Sequence, residues 1–504
     1  MKKVLLCAFA LLLCSCSANP PADTTDIPQT TEPAATEEVI QLTEIDNGMA
    51  YNNSYYTNNL CDGTADPFIL QHNGIYYLYC TGGSQYHVRK STDLIHWTKQ
   101  DTPILKLSDT GWAKQKGWAP EMYEYNGKFY FIFSAMGEQY HSIDIAVCDT
   151  PDGKFKTLNY GKPFFSPDFS VIDASLFFDD DGRIYFYFSK DCSTNVVNGK
   201  KTSQTWGVEL KSDLSGMIGE PILISTPEYD WELKSGNTLW NEGPVVFKEN
   251  GTYYLLYSAN YYVSEHYSVG YATSDNPLRF FDKTKDSRIL SGNGDTVTGP
   301  GHCNILRSPD GTEIYVVYHV HTVPPNTDKG RSLAIDKLII REDGTLAVDG
   351  PSEVRRPVPS GVNGYYKVTD GFTYTVNGEK AEFPSKCGAK YIFDGNAMAR
   401  MSEIASFDEG GSIKITMDQP TDVKCMYIYP SQYGEYAPDS CDVIINGQYV
   451  ISGLKFRGDD GAPITASFRY LPDGTLIESI EVVLHLKDGN SYAALAEIVM
   501  QTKK

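Results

Sequence analysis

A short turn-and-strand pattern occurs five times in this chain and constrains its fold more than any other feature. Each copy is an Asn-Gly or Asp-Gly pair followed by a run of aromatic and aliphatic residues. Asn-Gly and Asp-Gly supply the positive backbone torsions of a two-residue β-hairpin, and the runs are too short and too β-prone for helices. Each copy therefore predicts a hairpin, with the turn glycine at Gly74, Gly127, Gly182, Gly251 and Gly311.

The chain around each turn supplies further strands. One is predicted before each turn, at residues 67–71, 120–125, 174–179, 244–248 and 303–308, and another follows, at 87–97, 142–149, 206–212, 268–274 and 333–341. Successive turn glycines lie 53, 55, 69 and 60 residues apart, about the length of a four-stranded propeller blade with generous loops. The pattern predicts an all-β fold with a five-bladed β-propeller at residues 49–358. A β-sandwich whose hairpins look alike by chance is the alternative.

The N-terminus has the features of an export signal. Lys2 and Lys3 precede an apolar stretch, which ends in Leu13-Cys14-Ser15-Cys16. The last four residues resemble a bacterial lipobox, which implies a lipoprotein signal peptide at residues 1–16 and lipidation of Cys16. The protein would then be extracytoplasmic and lipid-anchored to a bacterial membrane. An ordinary secretory signal is the alternative.

Composition and charge limit the classes of molecule that the protein is expected to bind. Residues 17–48 are rich in Pro, Thr, Glu and Ala and lack apolar periodicity, which predicts a disordered tether. The formal net charge of -21 at pH 7 opposes binding to nucleic acid, so a polymeric partner is predicted to be neutral or weakly charged. The eight cysteines beyond residue 16 show no CxxC spacing and give no zinc signature; most are expected to be buried thiols.

Residues at one offset before each turn are predicted to meet at the centre of the propeller, because blades are radially equivalent. Eight or nine positions before the turn glycines stand Asp66, Trp118, Asp173, Glu242 and His302. A single acid at a strand start is often a solvated turn residue, but three in phase are not expected by chance. Carboxylates gathered in this way repel one another, so one stays ionised while another has its pKa raised and keeps a proton. Glycosidic cleavage requires such an acid and base pair.

The same positions carry a resemblance to a known family. The fragments Ala65-Asp66-Pro67, Trp118-Ala119-Pro120, Ile172-Asp173-Ala174, Glu242-Gly243-Pro244 and Gly299-Pro300-Gly301-His302, in this order, resemble glycoside hydrolase family 43. Its members are five-bladed propellers that include α-L-arabinofuranosidases, arabinanases and β-xylosidases. One departure is Ala174, where the family often has proline; we expect a change in backbone stiffness that leaves the carboxylate in place.

The resemblance implies an inverting mechanism with one role for each acid. Asp66 would be the general base that deprotonates water, and Glu242 the general acid that protonates the leaving oxygen. Asp173 would raise the pKa of the acid and orient it. Inversion needs roughly 6.5–9.5 Å between the two catalytic carboxyl groups, so that water fits between them.

The resemblance also implies supporting residues. Trp118 is expected to wall the sugar pocket, with a place in the core as the alternative. Arg331 resembles the family arginine that reaches the substrate near the middle aspartate. The family often places the histidine that corresponds to His302 next to a central ion or water, commonly calcium. The alternative is an interior histidine whose hydrogen bonds are made within the protein. Such an ion would support the site without taking part in the chemistry.

The implied activity is hydrolysis of plant cell-wall glycans. An α-L-arabinofuranosidase is favoured, with β-xylosidase and endo-arabinanase as alternatives. The substrate would be a neutral oligo- or polysaccharide such as arabinan, arabinoxylan or a xylo-oligosaccharide. A non-catalytic, glycan-binding lipoprotein is the rival from another class, but a lectin gains nothing from three mutually repelling carboxylates.

The turn repeat stops after Pro359, and residues 361–504 form a second predicted domain. Short strand-like runs separated by turns predict a β-sandwich there. All six tryptophans lie before residue 241, so a sugar platform in this domain would have to use tyrosines. The candidates are Tyr427, Tyr429, Tyr433 and Tyr436. Support of the propeller is favoured over independent sugar binding.

Overall fold

The structure is a computed structural model that describes residues 39–42, 53–325, 329–379, 388–399, 402–456 and 461–504. The predicted signal peptide, with Cys16, lies outside these residues, as does most of the predicted tether. Inside the tether, Ile40–Gln41 forms a short strand, so regular structure begins before residue 49. No helix in the described part is long and apolar enough to cross a membrane.

Five antiparallel β-sheets follow one another along the chain, which confirms the predicted propeller. The first strand of each blade contacts the first strand of the next, and that of blade 5 contacts that of blade 1, so the ring closes. From the inside outwards, the strands are Phe68–His72, Ile75–Tyr79, Val88–Ser91 and Thr98–Lys99 in blade 1; Gln115–Tyr125, Lys128–Met136, His141–Cys148 and Lys156–Thr157 in blade 2; Val171–Phe178, Ile184–Lys190, Gln204–Leu210 and Met217–Ser225 in blade 3; Asn241–Glu249, Thr252–Ala259, Ser268–Ser274 and Arg288–Ser291 in blade 4; and Gly301–Arg307, Ile314–His321, Arg331–Ile340 and Leu346–Val348 in blade 5.

Two N-terminal strands fasten the ring to its last blade. Cys61–Asp62 pairs with the third strand of blade 5, and Tyr55–Tyr56 pairs with Arg356–Pro357. Smaller strands decorate the blades at Gln85–Tyr86, Leu105–Lys106, Val196–Val197, Lys200–Thr202 and Thr238–Leu239. Short 3-10 helices occupy Leu107–Asp109, Asp230–Glu232, Val362–Gly364, Ala389–Tyr391 and Gly434–Tyr436.

The prediction that all five turns are two-residue hairpins is wrong for blades 3 and 5. In the three Asn-Gly turns both residues have positive φ, as at Asn73 (50°) and Gly74 (74°), which is the two-residue geometry. In the two Asp-Gly turns only the glycine has positive φ. More residues separate the two paired strands there, and in blade 3 the last strand pair is Phe178 with Ile184. In these longer loops only the glycine adopts the left-handed conformation.

The remaining strands form a second β domain around its own apolar core, as the predicted sandwich requires. One hydrogen-bonded network joins Ile40–Gln41, Tyr365–Lys367, Phe372–Glu379, Ala405–Thr421, Val423–Pro430, Ser440–Ile445, Tyr449–Lys455, Ile464–Ser467, Ile477–His485 and Ala493–Lys503. The chain passes from the propeller into this domain between Pro357 and Tyr365. Five of the seven cysteines in the described residues are buried.

The predicted tyrosine platform is wrong for Tyr427 and Tyr429. Their side chains are 0% and 1% exposed, because their strand packs against the segments that join the two domains. The Tyr427 hydroxyl hydrogen-bonds Ser54 (2.6 Å), and that of Tyr429 donates to the carbonyl oxygen of Arg355 (2.8 Å). These tyrosines hold the two domains together, which favours the support role for this domain.

Candidate active site

In every blade a residue with positive φ bends the chain at or near the start of the inner strand. Side chains other than glycine adopt this conformation rarely, and such residues cluster at functional sites. In blades 2 to 5 the strand pairing shifts register directly after the bend, as in a β-bulge. The bend residues are Asp66 (53°), Ala119 (38°), Asp173 (55°), Gly243 (59°) and His302 (48°).

The bends refine the predicted register of the site. Asp66, Asp173 and His302 are bend residues, whereas Trp118 and Glu242 stand one residue before the bend in their blades. All five nevertheless line one cavity of ≈ 360 Å³, together with Ile172, Asp191, Trp240, Tyr261, Tyr262, Tyr267 and Arg331. The structure thus brings together every candidate site residue that it describes, and Cys16 lies outside the described residues.

Asp66 is held as an anion. Arg331 Nη1 donates to Asp66 Oδ1 (2.7 Å), and Thr81 Oγ1 donates to Oδ2. Burial alone would raise the pKa of Asp66, but the positive charge of Arg331 and the Thr81 hydrogen bond outweigh it and hold that pKa well below its ordinary value. The resemblance predicts that Arg331 reaches the substrate near Asp173. Its ion pair is with Asp66, because blade 5 lies beside blade 1 in the closed ring.

In blades 1, 4 and 5 a side chain in or just after the second strand contacts the bend of the next blade, and sequence reasoning missed these contacts. Thr81 Oγ1 accepts from the backbone N–H of Ala119 (2.9 Å), Ser258 Oγ from that of His302 (2.7 Å), and His319 Nδ1 from that of Asp66 (3.3 Å). Each of these bonds links one blade to the bend of the next. The signal was present, because these positions lie seven residues after the turn glycine in blades 1 to 4 and eight in blade 5: Thr81, Ser134, Ser189, Ser258 and His319.

The surroundings of Glu242 and Asp173 raise the pKa of each carboxyl group, whereas those of Asp66 lower it. Both are only 8% exposed, and Asp173 Oδ2 accepts from the backbone N–H of Gly243 (3.2 Å). Burial, and then the negative charge of Asp173, raise the pKa of Glu242 well above its ordinary value. Burial also raises the pKa of Asp173, against the opposing influence of His302. Burial and the neighbouring carboxyl group therefore favour the protonated form of Glu242, as a general acid requires.

Tyr267 connects the acid side of the cavity to the base side. Its hydroxyl donates to Glu242 Oε1 (3.1 Å), and its ring stacks on His319 (5.8 Å between centroids, 14° between planes). His319 in turn contacts the backbone N–H of Asp66. A Cβ atom on Gly301 would lie 2.1 Å from the Tyr267 ring, so this stack requires glycine there. The pair acts as a rigid spacer between Glu242 and Asp66.

The Tyr267→Phe variant is expected to move the alkaline limb of the kcat/KM profile to higher pH. The Tyr267 hydroxyl favours ionised Glu242, so its loss raises the pKa of Glu242. A general acid works only while protonated, and activity is lost as pH rises through that pKa. A pH profile with the glycosides described below measures the shift. The Tyr185→Phe variant is a matched control, since the buried Tyr185 hydroxyl has no hydrogen-bond partner in the described structure. An unmoved limb in Tyr267→Phe would contradict the assignment.

Trp118 and Asp191 complete the inner wall. The Trp118 indole stacks on His141 (4.3 Å, 25°) and lines the cavity, and its contact with a sugar stays a prediction. Asp191 is a fourth carboxylate in the cavity, and its backbone N–H donates to the carbonyl oxygen of Ser170 (2.9 Å). Sequence reasoning missed Asp191, because it follows the second strand of blade 3 and belongs neither to a turn pair nor to one of the tripeptides that carry the resemblance.

Comparison with known proteins decides the family. The sequence model of glycosyl hydrolases family 43 matches residues 56–346, more than half of the chain. The chain belongs to this family. As a family 43 member it is a glycoside hydrolase, and an inverting mechanism is consistent with that membership.

Individual relatives support the same conclusion. A β-D-galactofuranosidase of Aspergillus niger is 31% identical over 56% of this chain and 81% of its own length. An extracellular exo-α-(1→5)-L-arabinofuranosidase of Streptomyces chartreusis is 30% identical over 52% of this chain and 82% of its own. The crystal structure of a thermostable family-43 glycoside hydrolase is 40% identical and has a TM-score of 0.58, covering 60% of this chain and 99% of the other.

The predicted calcium ion in this family 43 enzyme was assigned to His302. The His302 ring lies 3.6 Å from Asp66 Oδ1, but that oxygen already accepts from Arg331. Calcium takes six to eight oxygen ligands, and no group of three or more His, Cys, Asp or Glu residues in the described ranges could hold a metal ion. The side chains around His302 do not build a calcium cage, so no step of the mechanism is assigned to a metal.

A buried glutamate lies deeper in the channel, two residues beyond the bend of blade 2. Glu121 is 6% exposed, accepts from Asn304 Nδ2 of blade 5 (3.3 Å) and from the Tyr123 hydroxyl. Burial is the largest influence on its pKa, which rises to about 8. Glu121 is therefore a neutral acid at pH 7 and joins two blades without adding charge beneath Asp173.

The Glu121→Gln variant is expected to become progressively more stable than the wild type as pH rises from 5 to 9. A raised folded-state pKa gives stability that is complete below about 4.3 and is lost as pH rises through about 8, whereas glutamine stays neutral throughout. The difference should reach about 3–5 kcal/mol. Urea unfolding followed by tryptophan fluorescence measures it, because all six tryptophans lie in the propeller. The exposed Glu124→Gln is the control, and a pH-independent difference for Glu121→Gln would contradict the prediction.

Proposed function

We propose that this enzyme hydrolyses glycosides with inversion, using Asp66 as general base and Glu242 as general acid. The observation that carries the proposal is the opposite surroundings of two carboxyl groups that line one cavity, since Asp66 is paired with Arg331 and Glu242 is buried near Asp173. Arg331 and Thr81 keep Asp66 ionised, while burial and Asp173 keep Glu242 protonated. Environments that push two pKa values apart in this way identify an acid and a base.

The proposed reaction is a single displacement. Asp66 takes a proton from water as the water oxygen bonds to the anomeric carbon. The bond from that carbon to the leaving oxygen breaks, and Glu242 gives its proton to that oxygen. Asp173 repels negative charge on Glu242 and so favours its protonated form. Trp118 would cover the C–H face of the bound sugar.

The proposed substrates are α-L-arabinofuranosides of neutral plant glycans. The two relatives described above are named for L-arabinofuranosides and β-D-galactofuranosides. Both sugars are five-membered rings with the same arrangement of substituents around the ring, and they differ in the exocyclic carbons. A pocket for the shared ring is the simplest common requirement. β-D-Galactofuranosidase activity is therefore the second candidate.

A panel of 4-nitrophenyl glycosides tests this proposal. We expect the highest kcat/KM with α-L-arabinofuranoside, a lower value with β-D-galactofuranoside and the lowest with β-D-xylopyranoside. Proton NMR of the first-formed sugar anomer tests inversion. A preference for xylopyranoside would overturn the furanoside assignment. Release from none of the sugars by folded protein would favour the glycan-binding alternative.

Export and anchoring are also part of the proposal, supported by the N-terminal sequence. We expect bacterial cells that express the gene to attach labelled fatty acid to the protein and to lose that label in the Cys16→Ala variant. Label that persists in Cys16→Ala would overturn lipidation at that residue.

A further inference from the structure

A second cavity, of ≈ 240 Å³, lies where the propeller meets the second domain, and we call it the joint cavity. Lys337 and Arg356 of the propeller line it, as do Lys367, Phe372 and Phe393 of the second domain. Among the described residues, none lines both this cavity and the active-site cavity. A role for the joint cavity is therefore separate from the proposed hydrolysis.

Arg356 brings buried hydrogen-bond donors to the joint cavity that lack an acceptor. It is 4% exposed, and its Nε and Nη1 atoms hydrogen-bond to no group in the described part of the chain. Its ion pair with Asp349 is long, at 3.4 Å from both Nε and Nη2, and Asp349 Oδ1 already accepts from the backbone N–H of Met398 (2.7 Å). A buried donor without an acceptor costs free energy, so a ligand that offers oxygen atoms is favoured there.

Two lysines in the joint cavity share one carboxylate. Lys367 Nζ donates to Glu313 Oε1 (2.8 Å), and Lys337 Nζ lies 3.4 Å from the same oxygen. Glu313 therefore balances one of these two positive charges, and Asp349 balances that of Arg356. One of the three positive charges is left without an anion of its own.

The two other acids that line the joint cavity do not supply that anion. Glu497 is 3% exposed and accepts from the backbone N–H groups of Gly395 (2.8 Å) and Asn396 (3.1 Å). Burial raises the pKa of Glu497 well above its ordinary value and so favours its neutral form. Asp394 is exposed, and water and salt screen its charge. The buried end of the joint cavity is therefore positive.

The open end of the joint cavity carries aromatic rings. Phe372 and Phe393 stand edge to face (5.2 Å between centroids, 60° between planes), and both are half-buried. Thr369, also in the lining, is exposed. The C–H face of a sugar ring packs on such aromatic rings. A volume of ≈ 240 Å³ is below the usual range for drug-sized ligands, so it suits one sugar ring rather than a length of polymer.

We propose that the joint cavity binds a single uronic acid. The carboxylate of this sugar would accept from Arg356 and pair with Lys337, because a planar guanidinium matches a carboxylate in geometry. Its ring would lie against Phe372. The net charge of -21 on the whole chain repels a polyuronide, which favours an isolated uronic acid. That acid is either a free monosaccharide or a side group on a neutral glycan.

Calorimetric titration of the full chain with D-glucuronate tests the proposal. We expect saturable binding, and no binding of D-glucose, which has the same ring without the carboxylate, at the same concentrations. Lys337→Met should raise the Kd for glucuronate about tenfold, because it removes a charge-assisted contact. A xylotriose with one glucuronosyl side group distinguishes the two sources. Tighter binding than that of glucuronate identifies a glycan side group, and equal or weaker binding identifies the free acid.

A second pair of variants separates loss of the site from damage to the fold. Thr369→Glu adds a negative charge at an exposed residue of the lining and should raise the Kd for glucuronate at least about threefold. Thr373→Glu adds the same charge at an exposed residue outside the lining and should bind like the wild type. Three results would overturn the proposal: no binding of glucuronate, an unchanged Kd in folded Lys337→Met or Thr369→Glu, or inorganic phosphate that binds as tightly as glucuronate.

Discussion

Replacing Glu242 with alanine should lower kcat/KM for a phenyl or alkyl glycoside by about 10²–10⁴-fold. The reason is that a poor leaving group departs only if its oxygen is protonated, and Glu242 is the buried, protonated acid of the cavity. The loss should be much smaller for a 2,4-dinitrophenyl glycoside, which leaves without protonation. Steady-state kinetics on the two leaving groups measures this dependence.

The leaving-group dependence distinguishes the acid from other roles for Glu242. Glu242→Gln is the matched variant, because it keeps the shape and the hydrogen bond with Tyr267 but cannot give up a proton as an acid does. It should follow Glu242→Ala on both substrates. Equal losses on good and poor leaving groups would mean that Glu242 serves only to bind or position the sugar.

Replacing Asp66 with asparagine should lower kcat/KM by about 10³-fold on good and poor leaving groups alike. The base acts on water and not on the leaving oxygen, so leaving-group quality cannot compensate for its loss. Arg331 would also lose the anion with which it pairs.

Asp62→Asn is the matched control for Asp66→Asn. Asp62 lies four residues away, and its carboxylate accepts from Ser332 Oγ outside the cavity, so the activity of this variant should stay near that of the wild type. If Asp66→Asn were rescued by a 2,4-dinitrophenyl leaving group, the assignments of acid and base would have to be exchanged.

The repeat made both the fold and the three acids predictable from the sequence. Turn residues and strand propensities are local, and radial equivalence then converts an equal offset along the chain into proximity in space. This reasoning located Asp66, Asp173 and Glu242 although 176 residues separate the first from the last. The register of the bend escaped it, because offsets of eight and nine both satisfy the turn pattern.

Residues outside the repeat were not predictable in the same way. Tyr261, Tyr262 and Asp191 lie on loops or at strand ends, whose positions depend on contacts with other blades. Tyr427 and Tyr429 have the composition of a sugar platform, and only the packing of their strand against the propeller places them in the core. The partner of Arg331 depended on ring closure, which brings blade 5 against blade 1.

Asp66 lies at the seam where the first blade meets the last. Its backbone N–H donates to His319 and its carboxylate pairs with Arg331, and both of these residues belong to blade 5, the last blade along the chain. Glu242 and Asp173 come from adjacent blades and can meet before the ring is complete. Under the proposed roles, the acid is built by two neighbouring blades and the base only where the ring closes, so a chain whose first and last blades are parted should lack the base.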